Sequence, residues 1–384
     1  MKASASFRLV APDTGEAYAP DAPRWRSASG ALLDLDIQPV FDPDLMRRRP
    51  PGMWRYLEAL PLLDPDRRIE LGETATPLVP LRLDGQEVHV KLDYLFPSGS
   101  YKDRGAALLI SHARALGIGQ VVQDSSGNAG CAVAQYCAAA GIACDIFVPG
   151  DTSPSKLRQI AAYGAQIRLV PGTREDTAAA ALQAAASTYY ASHVWNPFFL
   201  HGTKTFAYEL CEQLDWQAPD TVVLPAGNGT LLLGCEIGFR ELYAAGLIGH
   251  VPALVGVQAL ACAPLIVAQA PGTPGAQPAG PTLAEGIAIA APRRQAQMLA
   301  AATGGLVGVS EAAIADTLRL LCGMGYFVEP TSAAVIAGVR QYLAERARPG
   351  ERIATVLTGH GLKAADKIAK MLEMKDMLDT HPQI

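Results

Sequence analysis

Ser100-Tyr101-Lys102-Asp103-Arg104-Gly105 puts a lysine directly after a Gly-Ser turn, Phe96-Pro97-Ser98-Gly99-Ser100, and at the head of an apolar run, Ala106 to Leu116. The pattern predicts an amine at a helix N-terminus. There the positive end of the helix dipole and the neighbouring Arg104 disfavour an ammonium. An amine kept uncharged attacks carbonyls and forms Schiff bases. A lysine at a helix start is also a common solvated surface residue. Three further segments change what Lys102 implies.

Asp124-Ser125-Ser126-Gly127-Asn128-Ala129-Gly130 follows a strand-like run and precedes a helical one. Ser and Asn there cap free amides, and the same amides can hold a substrate carboxylate. Asn128 can also donate to a phenolic oxygen such as O3′ of pyridoxal phosphate. Pro225-Ala226-Gly227-Asn228-Gly229-Thr230 again links a strand to a helix. Its glycines free the backbone for close approach, and its row of amides makes a phosphate cradle. The run lacks the Lys-Ser/Thr of a nucleotide-triphosphate loop and the Gly-x-Gly-x-x-Gly of a dinucleotide site. Leu357-Thr358-Gly359-His360-Gly361-Leu362-Lys363 ends another strand-like run. A neutral hydroxyl at Thr358 can face a pyridine nitrogen without holding it protonated. That makes the ring a weaker electron sink and suits elimination chemistry. Each segment alone also reads as an ordinary turn. Together they supply an amine, a phosphate cradle and two polar contacts for one pyridoxal phosphate.

The elements that must position these groups alternate. Strands are predicted at 88–92, 120–124, 144–148, 166–170, 221–225, 254–258 and 353–357. Helical patterns cover 128–140, 153–163, 174–189, 203–213, 231–245, 311–322, 332–345 and 362–378. Short β-rich runs alternating with helices imply βαβ units and parallel sheets buried between helix layers. Three of the four segments then lie at the C-terminal ends of strands, where open α/β sheets bind ligands. The first 50 residues are rich in Pro and Asp with weak periodicity and read as an irregular extension. Residues 271–281 read as a mobile proline–glycine surface loop.

Composition sets outer bounds. With 384 residues, 49% hydrophobic and 18% charged, the chain has room for a large core. A net charge of −5 without a basic block argues against nucleic acid or an anionic membrane as partner. Met1 to Gly15 has no continuous apolar segment of the signal-peptide kind, and no span is long enough to cross a bilayer, so a cytoplasmic protein is expected. Seven cysteines without a Cys-x-x-Cys pair read as reduced core thiols, and the histidines show no metal-ligand spacing.

Beyond these segments, Thr76-Pro77-Leu78, Tyr163-Gly164-Ala165, Asn196-Pro197, Gly202-Thr203-Lys204-Thr205 and Glu329-Pro330-Thr331-Ser332-Ala333-Ala334 occur in an order that resembles the threonine-synthase-like group of fold-type II pyridoxal phosphate enzymes. The resemblance spans about Thr76 to Lys363. It implies an α/β fold of two parallel-sheet domains with the cofactor between them: a large domain of 51–106 plus 203–384, and a small one of 107–202 that closes over the substrate. It implies Lys102 as the residue that joins the cofactor and moves a proton at Cα. Asn128 would contact O3′, Gly227, Asn228, Gly229 and Thr230 would hold the phosphate, and Thr358 would face the ring nitrogen. Ser100, Ser125 and Ser126 would line the substrate site. A homodimer is also implied.

Departures accompany the likeness. Ser27-Ala28-Ser29-Gly30 stands where a cysteine-bearing run is expected, so no zinc is expected. Phe199 and Val194 stand where an arginine and a serine would grip a substrate phosphate. A buried dianion beside Phe198 and Phe199 would cost several kcal/mol without a cation, for which Arg104 and Lys204 are the nearby candidates. Thr282-Leu283-Ala284-Glu285-Gly286-Ile287 resembles the corresponding run of serine and threonine dehydratases, and makes Glu285 a candidate acid or base. Three readings follow: elimination or replacement on a small amino acid with a leaving group at Cβ or Cγ, an ammonia-lyase of the serine/threonine dehydratase type, and a non-catalytic cofactor-binding sensor.

Overall fold

The computed structural model describes residues 6–152 and 154–372. Its largest sheet has six strands, in the order Leu306–Val309, Ala253–Ala259, Thr221–Pro225, Ile353–Val356, Gln86–Lys91 and Leu78–Leu83. All neighbours are parallel except the last pair. Thr221–Pro225 is buried along its whole length, as expected of a central strand covered by helices on both faces. A second sheet is parallel throughout, in the order Gln166–Val170, Ala143–Pro149, Gln120–Gln123 and Tyr189–Tyr190. Every strand expected from the sequence is present, with ends shifted by at most two residues.

Leu78–Leu83 was not among the expected strands. It pairs antiparallel with Gln86–Lys91 through the two-residue turn Asp84-Gly85. Both turn residues have positive φ, 49° and 85°, as the twist of a tight hairpin requires.

The reading of residues 1–50 as an irregular extension does not hold for the described part. Ser6–Val10, Ala17–Tyr18 and Asp34–Gln38 form an antiparallel sheet. Leu9 and Leu33 are fully buried in the same apolar cluster as the helix that follows Lys102. Phe7 meets Phe198 edge-to-face at 6.0 Å. Tertiary burial of a few apolar side chains fixes strands too short for a clear period.

Other differences are local. The helix expected at 203–213 is present as Thr205–Gln213, and a further helix, Pro197–Thr203, precedes it and meets it at Lys204. The one expected at 362–378 is a 3-10 turn, Gly361–Ala364, followed by Ala365–Met371, and 373–378 lie outside the described residues. The helix expected from Ser153 is Pro154–Ala162, and Ser153 itself lies outside the described residues. The loop 271–281 is pinned at Gln277, whose amide donates to Leu260 O at 2.7 Å and whose carbonyl accepts from Ala263 at 2.6 Å. The seven cysteines are free, and all but Cys322 are buried. Among the described residues no helix is long and apolar enough to cross a membrane.

Two features aim Lys102. The helix Lys102–Ala115 crosses Pro197–Thr203 so closely that a Cβ on Gly105 would lie within the Phe199 ring, and one on Gly202 would overlap Arg104 O. Glycine at both points is a packing requirement. Beneath the crossing, Arg104 is completely buried between Asp93 and Glu209, with ion-pair distances of 2.8 Å to each. Lys91 reaches the same Glu209 at 3.0 Å. Asp93 is held below the ordinary carboxylate range: burial opposes this, but the Arg104 charge and hydrogen bond outweigh it.

Candidate active site

Lys102 opens its helix as expected, and its turn is stitched to the end of the strand Ile353–Val356. Tyr101 N donates to Thr358 O at 3.0 Å, and His360 N donates to Gly99 O at 2.9 Å. Gly99, with φ 84°, supplies the left-handed residue the turn needs. Ser100 is fully buried and forms an antiparallel bridge with Gly359. The turn is completed by Asp103, which accepts from Ser98 N at 2.7 Å and from the Ser98 hydroxyl. Burial pushes the Asp103 carboxyl up to about 7 against those two donors.

The Lys102 amine donates to Thr230 Oγ1 at 2.8 Å, and Tyr101 OH lies 2.9 Å from the same oxygen. Thr230 begins the helix Thr230–Ala244, so the amine sits at the mouth of the glycine loop. Gly229 takes φ 78°. Gly227 passes so close to the turn Glu285–Ile287 that an added Cβ would stand 2.9 Å from Ile287 Cα. The amides of this loop open at a helix N-terminus of 15 residues, an arrangement suited to an anion.

Thr358 is buried, with its hydroxyl 3.2 Å from that of Ser332. Ser332 Oγ accepts from Thr358 N at 2.9 Å and from Gly359 N at 3.3 Å, which fixes the turn. Asn128 is the first residue of the helix Asn128–Ala140, and its Nδ2 donates to Glu329 Oε2 at 2.7 Å. The position of a Cβ on Gly359 would be 3.3 Å from that Nδ2, so Asn128 lies against the Thr358 turn. Ser125 and Ser126 are half-buried just before this helix, and Ser125 Oγ accepts from Gly127 N at 3.3 Å. Gly130 packs directly on the Ser125 carbonyl, with no room for a side chain.

Lys102, Thr230, the glycine loop, Asn128 and Thr358 are thus brought together. Glu285 is set apart: its side chain is half exposed and pairs with Lys367 at 2.9 Å. The carboxyl that does reach the cleft is Glu329, which the sequence reading assigned no role. Burial raises it above the ordinary range, against the Asn128 hydrogen bond and the charges of Lys363 and Lys367. Its signal in the sequence was Glu329-Pro330 at the start of the helix Pro330–Glu345.

Arg104 does not press on the amine as an unpaired charge, because both of its faces are bonded to carboxylates. Lys204 is likewise paired, with Glu241 at 2.8 Å. Neither is left to receive a substrate anion. Phe199 is fully buried, with Lys102 Nζ 5.7 Å from its ring centre. Val194 offers its carbonyl to the buried Arg294 at 3.0 Å, and Arg294 also meets Asp34 at 2.6 Å. His193, a second residue the sequence reading left without a role, has its Nε2 3.1 Å from Asn228 Nδ2.

Residues 69–359 match the family model described as pyridoxal-phosphate dependent enzyme. Threonine synthase of Methanocaldococcus jannaschii is 34% identical over 378 residues, covering 94% of this chain and 93% of that protein. Threonine synthase of Mycobacterium tuberculosis (strain H37Rv) is 32% identical over 339 residues, with coverage of 85% and 91%. Among solved structures, maize serine racemase superposes with a TM-score of 0.66 at 19% identity, over 80% of this chain and 94% of that one. O-ureido-L-serine synthase gives a TM-score of 0.66 at 24% identity, over 79% and 94%. At these identities the two structures speak to the fold alone.

Proposed function

This chain belongs to the fold-type II pyridoxal-phosphate dependent enzymes, and on that premise we propose that it is a lyase catalysing elimination or replacement on a small amino acid with a leaving group at Cβ or Cγ. The observation that carries the reading is the Lys102 amine hydrogen-bonded at the mouth of an amide-lined glycine loop. The donor set fits the cofactor. Gly227 to Thr230 suit its phosphate, Asn128 its phenolic oxygen, and the uncharged Thr358–Ser332 pair its ring nitrogen.

When bound, the cofactor offers an aldehyde to an amine and withdraws electrons from the carbon beside the amino group. The chain's own residues do the rest. Lys102 takes the proton from the substrate Cα. The amides and hydroxyls of Ser125 to Asn128 orient the substrate carboxylate. Thr358 holds the ring nitrogen without charging it, which favours prompt departure of the leaving group. For a leaving group at Cβ, the Cα proton and that group would be lost, and hydrolysis would give a 2-oxoacid and ammonia. For a leaving group at Cγ, a Cβ proton would leave as well as the Cα proton before the group departs. Water would then add at Cβ while protons return to Cα and Cγ, which completes a replacement.

The proposal places the cofactor between the large unit of 51–106 plus 203–384 and the small unit of 107–202. Three links across this cleft support it: Asn128 to Glu329, Lys363 to Gln159, and Arg174 Nη1 to Ala288 O at 3.3 Å. It includes a homodimer in the cytoplasm. Leu95, Phe327 and Leu362 are apolar side chains left on the surface, Phe327 beside His360, and they support the pairing.

The relatives favour threonine synthase as the specific activity, acting on O-phosphohomoserine. A specific observation favours the ammonia-lyase reading instead: Phe199 is buried in the wall, and Arg104, Lys204 and Arg294 are each paired internally. An amino-acid panel with visible spectroscopy decides. Phosphate and threonine from O-phosphohomoserine support the first. 2-Oxoacid and ammonia from serine or threonine support the second. A holoenzyme whose absorbance responds to no amino acid overturns both.

Gly227→Ala tests the cradle. The new methyl meets backbone at Ile287, so the loop must shift. Loss of one or two charge-assisted hydrogen bonds to the phosphate should weaken cofactor binding about tenfold or more. Absorbance titration of the apoenzyme measures it, and unchanged affinity refutes a close approach there.

A further inference from the structure

The glycine loop packs against an unexplained donor. His193 is buried, its Nε2 faces Asn228 Nδ2 at 3.1 Å, and its Nδ1 is buried with no partner among the described residues. The amide donates in this bond, so Nε2 accepts and the proton resides on Nδ1. Burial, with the positive charges of Lys102 and Arg174 nearby, keeps this imidazole well below its ordinary range and therefore neutral. A buried N–H without an acceptor costs stability unless something arrives to take it.

His112 and His201 share the unpartnered Nδ1 but not the place. His112 is stacked on Phe198 at 3.6 Å in the apolar core. His201 lies on the helix Pro197–Thr203, with the charges of Lys204 and Arg294 near it. His193 is hydrogen-bonded to the glycine loop and meets Phe199 edge-on at 5.9 Å, and that ring in turn lies 5.7 Å from the Lys102 amine.

We propose that His193 reads the substrate side chain: its Nδ1–H donates to the oxygen of an uncharged leaving group, a hydroxyl, on a wall shared with Phe199 that rejects a phosphorylated one. Phe199 offers no donor, and His193 carries no charge. The cations Arg104, Lys204 and Arg294 are bonded elsewhere. The two charges nearest His193 are engaged as well, Lys102 with the Thr230 hydroxyl and Arg174 with the Ala288 carbonyl. A hydroxyl needs one donor, whereas a phosphate dianion needs a cation in direct contact. The inference rests on the elimination reading above and narrows its substrate class.

The test compares the wild-type holoenzyme with His193→Phe and His193→Gln. The substrates are L-serine, L-threonine, L-homoserine and O-phospho-L-homoserine, and the cofactor dissociation constant is measured separately. Wild type should favour a hydroxyl amino acid over the phosphorylated one by about 100-fold or more in kcat/KM. His193→Phe should raise KM for the hydroxyl substrate about 10- to 100-fold with cofactor affinity and melting temperature unchanged. Gln, which keeps a donor, should restore part of it. Preference for the phosphorylated substrate overturns the inference and leaves the elimination reading standing. So does a His193→Phe enzyme that loses cofactor affinity while KM at saturating cofactor is unchanged, since the imidazole then serves the cofactor's phosphate oxygen. A wild-type enzyme that binds cofactor at Lys102 yet converts no amino acid overturns the elimination reading itself, and this inference with it.

Discussion

Lys102→Ala should leave a folded protein that has lost the visible band of the cofactor-bound enzyme and shows no borohydride-trapped adduct on the peptide carrying position 102. Its turnover should fall by about 10²–10⁴-fold from the lost proton transfer alone, before any loss of cofactor is counted. The fold should survive because the side chain is only half-buried and, among the described residues, its hydrogen bond is to the Thr230 hydroxyl. The helix start beneath it is held by backbone bonds from Tyr101 to Thr358 and from His360 to Gly99, which the substitution does not touch. Far-ultraviolet circular dichroism separates loss of chemistry from loss of fold. A Lys102→Ala protein that still traps cofactor covalently, or still turns over at the wild-type rate, would refute the assignment.

Arg104→Met should act on stability. The guanidinium is fully buried and bonded to Asp93 and Glu209 at 2.8–2.9 Å. Removing it leaves two buried carboxylates sharing only Lys91, and breaking such a pair costs roughly 3–5 kcal/mol. Urea denaturation should show that loss as a lower midpoint. Mutating Asp93 and Glu209 to apolar residues alongside Arg104 should recover part of it, because the stranded charges are then gone as well. If Arg104→Met alone is neutral, the cluster is not what holds the Lys102 helix against the strand Gln86–Lys91.

Seven of the nine strands described in parallel pairs were legible as short β-rich runs. A central one such as Thr221–Pro225 reads as a nearly continuous apolar run because helices cover both faces. Leu306–Val309 and Tyr189–Tyr190, the latter at the end of a stretch expected to be helical, were not legible. Thr221–Pro225 and Gln166–Val170 match their expected limits. The helix starts at Lys102 and Asn128 were legible from the turn residues before them. Three further things were not. The hairpin at Asp84-Gly85 carried a good local turn signal, but its outer strand, Leu78–Leu83, alternates between buried and exposed positions and contains Pro80. The N-terminal strands are defined by what they pack on, which is Phe198, far along the chain. The third is the choice of carboxylate. Glu285 and Glu329 both sit near glycines and helix starts, and the sequence does not say which one turns inward. Folding decides it: the turn Glu285–Ile287 aims its acid at Lys367, while Glu329 meets Asn128 from the opposite sheet. Arg104 shows the same limit, since its partners come from the 3-10 turn Asp93–Leu95 and from the distant helix Thr205–Gln213.

The buried Arg294 ties the N-terminal sheet to the substrate wall. Its guanidinium grips Asp34 and the Leu33 carbonyl at one end and the Val194 carbonyl at the other. Val194 is the immediate neighbour of His193. If His193 reads the substrate as proposed, evolution has a remote dial: exchanges at residues 33 and 34 would reset the angle of the imidazole and retune substrate preference while Lys102 and the glycine loop stay as they are.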